Sequence, residues 1–347
     1  MSAEQTEQLL RGGIATAVGS WPGTDPREAA ATVAGELGDL AHLVELPGRG
    51  TGSDMIGRTS ALLVDMPFDV STRGYRLTPR PGAVSRRARD LLRTDLDALE
   101  EAWEGTGSAG AGRTVKVQAA GPLTLAAQLE LAGGHRVLTD SGAVRDLSES
   151  LAEGLARHAA EVAARLGAKV VVQLDEPSST AVLEGSLPGT SLLDSVRAVP
   201  APEALSILDS VITGVRHPVL VHTCADRPAL EFLRGSAAAA IGFDLATIRT
   251  ADLDDIGELL ETGKQLALGL IAVQPPSTPV TWREIAEPAV RLVDRLGVGR
   301  RTLADRILIT PACGLANAPL TWARRTLSLA TETARAFTED PESLTFD

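Results

Sequence analysis

The chain has only two cysteines in 347 residues, Cys224 and Cys313. Two thiols 89 residues apart in sequence make a poor disulfide framework for a protein of this size. We therefore expect a cytoplasmic protein whose reduced thiols are available for chemistry. Aromatic residues make up 3% of the sequence, with Tyr75 the only tyrosine, so stacking platforms for bases or pterins are scarce. Lysine is rare too: Lys116, Lys169 and Lys264 stand against 30 arginines, and the net charge is −12. An acidic surface disfavours nucleic acid as the main partner. No run approaches the about 18 apolar residues of a membrane span. The opening residues 1–7 are polar and acidic, unlike the basic, apolar start of a secretory signal. No Gly-x-Gly-x-x-Gly follows the first apparent strand, which weakens a dinucleotide-binding reading. No internal repeat is visible.

What is present is an alternation. Short β-branched runs at 14–19, 41–46, 114–119, 169–174, 219–223, 239–244, 266–273 and 307–310 read as strands. Between and after them, helical periodicity runs over 26–37, 86–103, 142–166, 202–213, 225–233, 253–262, 281–296 and 320–336. Caps support several starts, such as Thr24 or Asp25 before Pro26 and Thr281 before Trp282. Eight strands alternating with helices predict an α/β fold, a single (β/α)8 TIM barrel spanning residues 1–347 as one domain. The Gly- and Ala-rich stretch 105–112 reads as a surface loop before the third strand.

Chemically capable residues gather at the C-terminal ends of these strands, where barrels of this kind keep their active sites. On the fifth strand, Val-His-Thr-Cys places His222 and Cys224 on one face, because side chains alternate. Asp244 ends the sixth strand and Cys313 follows the eighth. An imidazole, two thiolates and a carboxylate form a donor set suited to Zn2+. The plain alternative is that both cysteines are small core residues and His222 a hydrogen-bonded core histidine.

Four segments, taken together, resemble a known family. They are Ala17-Val18-Gly19-Ser20-Trp21-Pro22, Gln173-Leu174-Asp175-Glu176-Pro177, Val221-His222-Thr223-Cys224 and Pro311-Ala312-Cys313-Gly314-Leu315. In this order they look like the C-terminal catalytic barrel of cobalamin-independent methionine synthase, over about residues 14–330. The resemblance implies a zinc-dependent methyltransferase that methylates the thiol of homocysteine, or a similar small thiol, in methionine biosynthesis. His222, Cys224 and Cys313 fall on zinc-ligand positions, and Asp244 stands where the family has a glutamate. Asp175 matches the acid that holds the substrate amino group. Val18 and Ser20 match positions that touch the amino acid, and Glu45 stands in for a second amino-binding acid.

The sequence also departs from that family. Its full-length enzymes carry a second, N-terminal barrel with no counterpart here. Gln128 stands near the place of a tryptophan beside the pterin, and Gln274 replaces a histidine after the seventh strand. The methyl donor is therefore expected to be a methylcorrinoid, with a corrinoid protein as partner, ahead of methyl-folate. Two alternatives stay open: a non-catalytic zinc- or thiol-binding relative, and a uroporphyrinogen decarboxylase-like enzyme, against which the two cysteines argue. Arg49, Asp54 and Arg58 read as a solvated surface, with an anion-binding loop as the other possibility.

Overall fold

The computed structural model describes residues 10–105, 112–189 and 195–346. All eight expected strands form: β1 (Ile14–Ala15), β2 (Leu40–His42), β3 (Thr114–Ala120), β4 (Lys169–Asp175), β5 (Val219–Thr223), β6 (Ala240–Asp244), β7 (Gln265–Ile271) and β8 (Ile307–Pro311). They pair in parallel in the order β1-β8-β7-β6-β5-β4-β3-β2. The two ends of this sheet meet through one parallel bridge between Ser20 and Glu45. There the Trp21 amide donates to the Glu45 carbonyl at 2.8 Å and the Glu45 amide to the Gly19 carbonyl at 3.1 Å. The sheet therefore closes as a (β/α)8 barrel.

β1 and β2 are shorter than their hydrophobic runs at 14–19 and 41–46. Each has a full ladder partner on one side only, and beyond the strand their later residues are held by single bonds to that same partner. Thr16 bonds to Ile309 and Leu43 to Lys116. The helix expected at 225–233 is cut to Leu230–Arg234, because Pro228 disfavours helical geometry in the residue before it. The loop expected at 105–112 lies, from 106 to 111, outside the described residues.

Five helices flank the first half of the barrel: α1 (Pro26–Glu36), α2 (Met55–Leu62), α3 (Ala83–Gly105), α4 (Pro122–Gln128) and α5 (Ser141–Leu166). Asp25 caps α1 by accepting from the amides of Arg27 and Glu28. Thr281 and Glu284 form a reciprocal capping box at Trp282–Leu296. A small sheet of Phe68–Ser71, Gly74–Leu77 and Leu129–Glu130, which the periodicity did not reveal, lies outside the barrel sheet. No described helix is long and apolar enough to cross a membrane.

The barrel interior is layered. Its floor is apolar, built from Ile14, Leu40, Val171, Leu220, Ala240, Ala267 and Leu308 with Leu10 packed among them. Two residues further along these strands, on the same face, the side chains become polar: His42 on β2, Gln173 on β4, His222 on β5 and Thr310 on β8, with Lys116 on β3 among them. That switch sets up the site above.

Candidate active site

The strand register builds the site from β4 and β5. Asp175 pairs with His222 across the ladder, and both point inward. The His222 Nδ1 lies 2.9 Å from Asp175 Oδ1, so Nδ1–H donates to the carboxylate. This leaves Nε2 as the bare, lone-pair-bearing nitrogen, and it is buried with no hydrogen-bond partner. A buried acceptor without a donor costs about 1–3 kcal/mol unless something fills it. A carboxylate that orients a histidine through one nitrogen while the other faces a metal is a recurrent arrangement.

Cys224 and Cys313 are both free thiols and half-buried. The two thiols act on each other, which holds Cys313 below and pushes Cys224 above the ordinary thiol range. His222 lies within electrostatic reach of Cys313. Cys313 is thus within electrostatic reach of both Cys224 and His222, the other two residues that the resemblance puts at zinc-ligand positions together with it. Among the described residues, however, no three His, Cys, Asp or Glu side chains are arranged to hold a metal ion as they stand. Asp244 sits at the end of β6, where its Oδ1 caps the turn Leu245–Thr247 by accepting from the Ala246 amide at 2.9 Å.

The remaining expected residues line the seam of the barrel. Ser20 lies against the loop after β8: the Leu315 amide donates to its carbonyl at 2.9 Å. A Cβ on Gly314 would come within 2.1 Å of Ser20 Oγ. A side chain after Cys313 would thus force the Ser20 hydroxyl to turn away. Glu45 is buried, and desolvation pushes its carboxyl up to about 7 despite Arg58 nearby. The Val18 carbonyl accepts from Lys116 Nζ at 3.2 Å and from Gln173 Nε2 at 2.8 Å. Both its lone pairs are engaged, so any contact of Val18 with a ligand must come through its other atoms.

Lys116 and Gln173 were not singled out from the sequence. A signal was available for each: Lys116 interrupts the apolar run of β3, and Gln173 stands two residues before Asp175, on the same face. Burial lowers the Lys116 ammonium to about 8, against the opposing pull of Asp175 and Glu45.

Glu176, the neighbour of Asp175, has a structural task. Its carboxylate accepts from the amides of Leu123 and Thr124 at 2.9 and 2.8 Å and from the Thr124 hydroxyl at 2.7 Å. It caps the N-terminus of α4 from another strand. A Cβ on Gly121 would lie 2.3 Å from its Oε1, so only glycine fits before Pro122. Desolvation nevertheless raises this carboxyl to about 7. Glu176→Ala orphans three buried donors and should lower unfolding free energy by about 3–5 kcal/mol. A shift of the urea midpoint equivalent to less than about 1 kcal/mol would show that water replaces the cap.

Arg49 and Arg58 are not a solvated surface. Arg58 is buried and Arg49 half-buried, and both donate to Asp95, Arg49 at 2.7 Å. Asp54 caps α2 by accepting from the Gly57 amide and also takes the Tyr75 hydroxyl. These groups consume one another because the apolar face of α3 carries Asp95 beneath them. Gln128 is exposed at the end of α4, and Gln274 donates to the Asn317 carbonyl at 3.0 Å.

Solved structures share this architecture. The B12-independent methionine synthase from Shewanella sp. W3-18-1, in complex with selenomethionine, has a TM-score of 0.57 at 14% identity, covering 95% of this chain and 98% of that one. A methyltransferase from Methanosarcina mazei has a TM-score of 0.56 at 15% identity, covering 94% and 93%. At such identities the likeness establishes the barrel. No curated protein sequence matches the chain. Residues 14–336 match the family model of the cobalamin-independent synthase catalytic domain. The chain belongs to this family, and it is a methyltransferase.

Proposed function

We propose that the protein transfers a methyl group to the thiol of homocysteine, or of a closely similar amino acid, at a Zn2+ site made by His222, Cys224 and Cys313. The observation that carries this reading is the orphaned Nε2 of His222, oriented by Asp175, with the free thiols of Cys224 and Cys313 within electrostatic reach of the same group. One nitrogen and two sulfurs with a carboxylate behind the imidazole suit zinc in donor type. When bound, zinc supplies a substrate thiol in its ionised form at neutral pH. Asp244 is the fourth donor in this reading, with its Oδ1 shared with the Ala246 amide.

The chain's own residues do the rest. Asp175 Oδ1 is occupied by His222 and Gln173, which leaves Oδ2 to take the substrate ammonium. Glu45 lies close enough to act electrostatically on Asp175, so an ammonium placed between them is held by both and pulls Glu45 toward its ionised form. Ser20, at the seam, faces the segment that carries Cys313. A bound amino acid would thus be fixed by its ammonium while its sulfur meets the thiol pair, which sets the angle of attack. The selenomethionine in the Shewanella protein supports an amino-acid occupant for this fold. The donor in this reading is a methylcorrinoid carried by a partner protein, since Gln128 and Gln274 offer no aromatic or imidazole surface to a pterin. Two free cysteines suit a reducing cytoplasm.

The test is a direct assay. Zinc-loaded protein with homocysteine should form methionine when given methylcobalamin, and much less when given methyl-tetrahydrofolate, read by mass spectrometry. A folded, zinc-loaded protein that uses neither donor would leave a zinc- and thiol-binding relative without this activity.

A further inference from the structure

We propose that Lys116 is a positioning residue: by donating to Gln173 it fixes which way the Gln173 amide faces, and so sets the Asp175 carboxylate for the substrate ammonium. This deepens the function proposed above and rests on it.

The argument begins with cost. Lys116 is fully buried in the barrel, one step above the apolar floor. Removing an ammonium from water costs several kcal/mol, and an apolar side chain of similar size in such a place is often neutral or stabilising. Its direct partners are neutral acceptors, Gln173 Oε1 at 2.6 Å and the Val18 carbonyl at 3.2 Å. Barrel packing alone would be met by a branched apolar side chain here. The lysine therefore needs another reason.

Gln173 supplies it. A glutamine amide can face either way in a slot of this shape, with its oxygen and nitrogen exchanged. An ammonium can only donate, so Lys116 compels the oxygen to face it. The nitrogen must then face the other side, where Nε2 donates to Asp175 Oδ1 at 2.8 Å and to the Val18 carbonyl at 2.8 Å. With the amide reversed, its NH2 would oppose the ammonium and its oxygen would oppose the carboxylate. Asp175 Oδ1 receives its second donor from His222. Two fixed donors on one oxygen set the plane of the carboxylate and turn Oδ2 toward the mouth. The chain Lys116–Gln173–Asp175 thus converts one buried charge into the orientation of a ligand-binding group two side chains away.

The experiment compares the parent with Lys116→Met, Gln173→Met and the double variant, all zinc-loaded and matched in zinc content. Lys116→Met should fold with an unchanged or higher melting temperature. Its Gln173 side-chain NH2 protons should exchange with solvent at least about tenfold faster by NMR, and homocysteine should bind about tenfold more weakly by calorimetry. Because Lys116 acts through Gln173, the double variant should bind no worse than Gln173→Met alone. A rise in stability with a fall in binding is not what a packing role gives. Parent-like Gln173 exchange in Lys116→Met, or binding losses that multiply across the two substitutions, would overturn the proposal. A parent that fails to bind homocysteine sinks the functional reading instead, and is told apart because the exchange measurement does not use the ligand.

Discussion

Cys313→Ser should leave the protein folded but without zinc, and should lower methyl transfer to homocysteine by about 1,000-fold or more, some 4 kcal/mol of barrel-mouth catalysis. A serine hydroxyl does not ionise at neutral pH, so the exchange removes a charged soft donor and leaves a neutral hard one. It also replaces the sulfur that acts on the Cys224 thiol in the parent. The fold should survive, because Cys313 lies after β8, outside its ladder, and is half-buried. Zinc per chain, measured by atomic emission at matched circular dichroism, checks the first half. Parent-like zinc content in the variant would mean that the metal, if bound, is held elsewhere, and the thiol pair would lose its proposed role.

Asp175→Asn is the second large effect, for a reason that lies in hydrogen-bond polarity. The carboxylate oxygen Oδ1 accepts from two donors at once, Gln173 Nε2 at 2.8 Å and His222 Nδ1 at 2.9 Å. Asparagine can keep those bonds only by turning its NH2 toward the mouth, where the substrate ammonium would be repelled. In the other orientation its NH2 meets two donors, and His222 must move its proton to Nε2, the nitrogen needed as a ligand. Either outcome damages the site. We expect kcat/KM for homocysteine to fall by about 100- to 1,000-fold, or about 3–4 kcal/mol, with zinc affinity down about 10- to 100-fold. Steady-state kinetics and competition with a chelator measure the two. Unchanged values of both would show that Asp175 serves neither the amine nor the imidazole.

Much of the architecture was legible because it follows from local rules. The β-branched runs marked all eight strands, and Asp25 and Thr281 marked helix starts that the structure confirms. The errors were also local in origin. Pro228 shortens a helix that periodicity alone extended, and the seam between β1 and β2 trims strands whose sequences remain apolar beyond it. The pairing of His222 with Cys224 was readable from alternation. Asp175 was readable as a polar strand-end residue, its amine-binding role came only through resemblance, and its partnership with His222 was not readable at all, since it depends on the register of β4 against β5.

Composition and periodicity by themselves determined that this chain folds as an α/β barrel with a net negative charge and with polar, chemically capable residues at one end of its strands. These are properties of single residues and short repeats, and they survive without knowledge of neighbours. Tertiary structure decided which carboxylate does what. Asp175 and Glu176 are adjacent in sequence, yet one faces the mouth and the other is spent on the amides of α4, because successive side chains of a strand point to opposite faces. It also turned Arg49 and Arg58 from surface charges into partners of the buried Asp95, and made Lys116 the hidden neighbour of the site. Long-range pairing places such groups, and polar side chains buried together must satisfy one another or be left at a cost that no local pattern records.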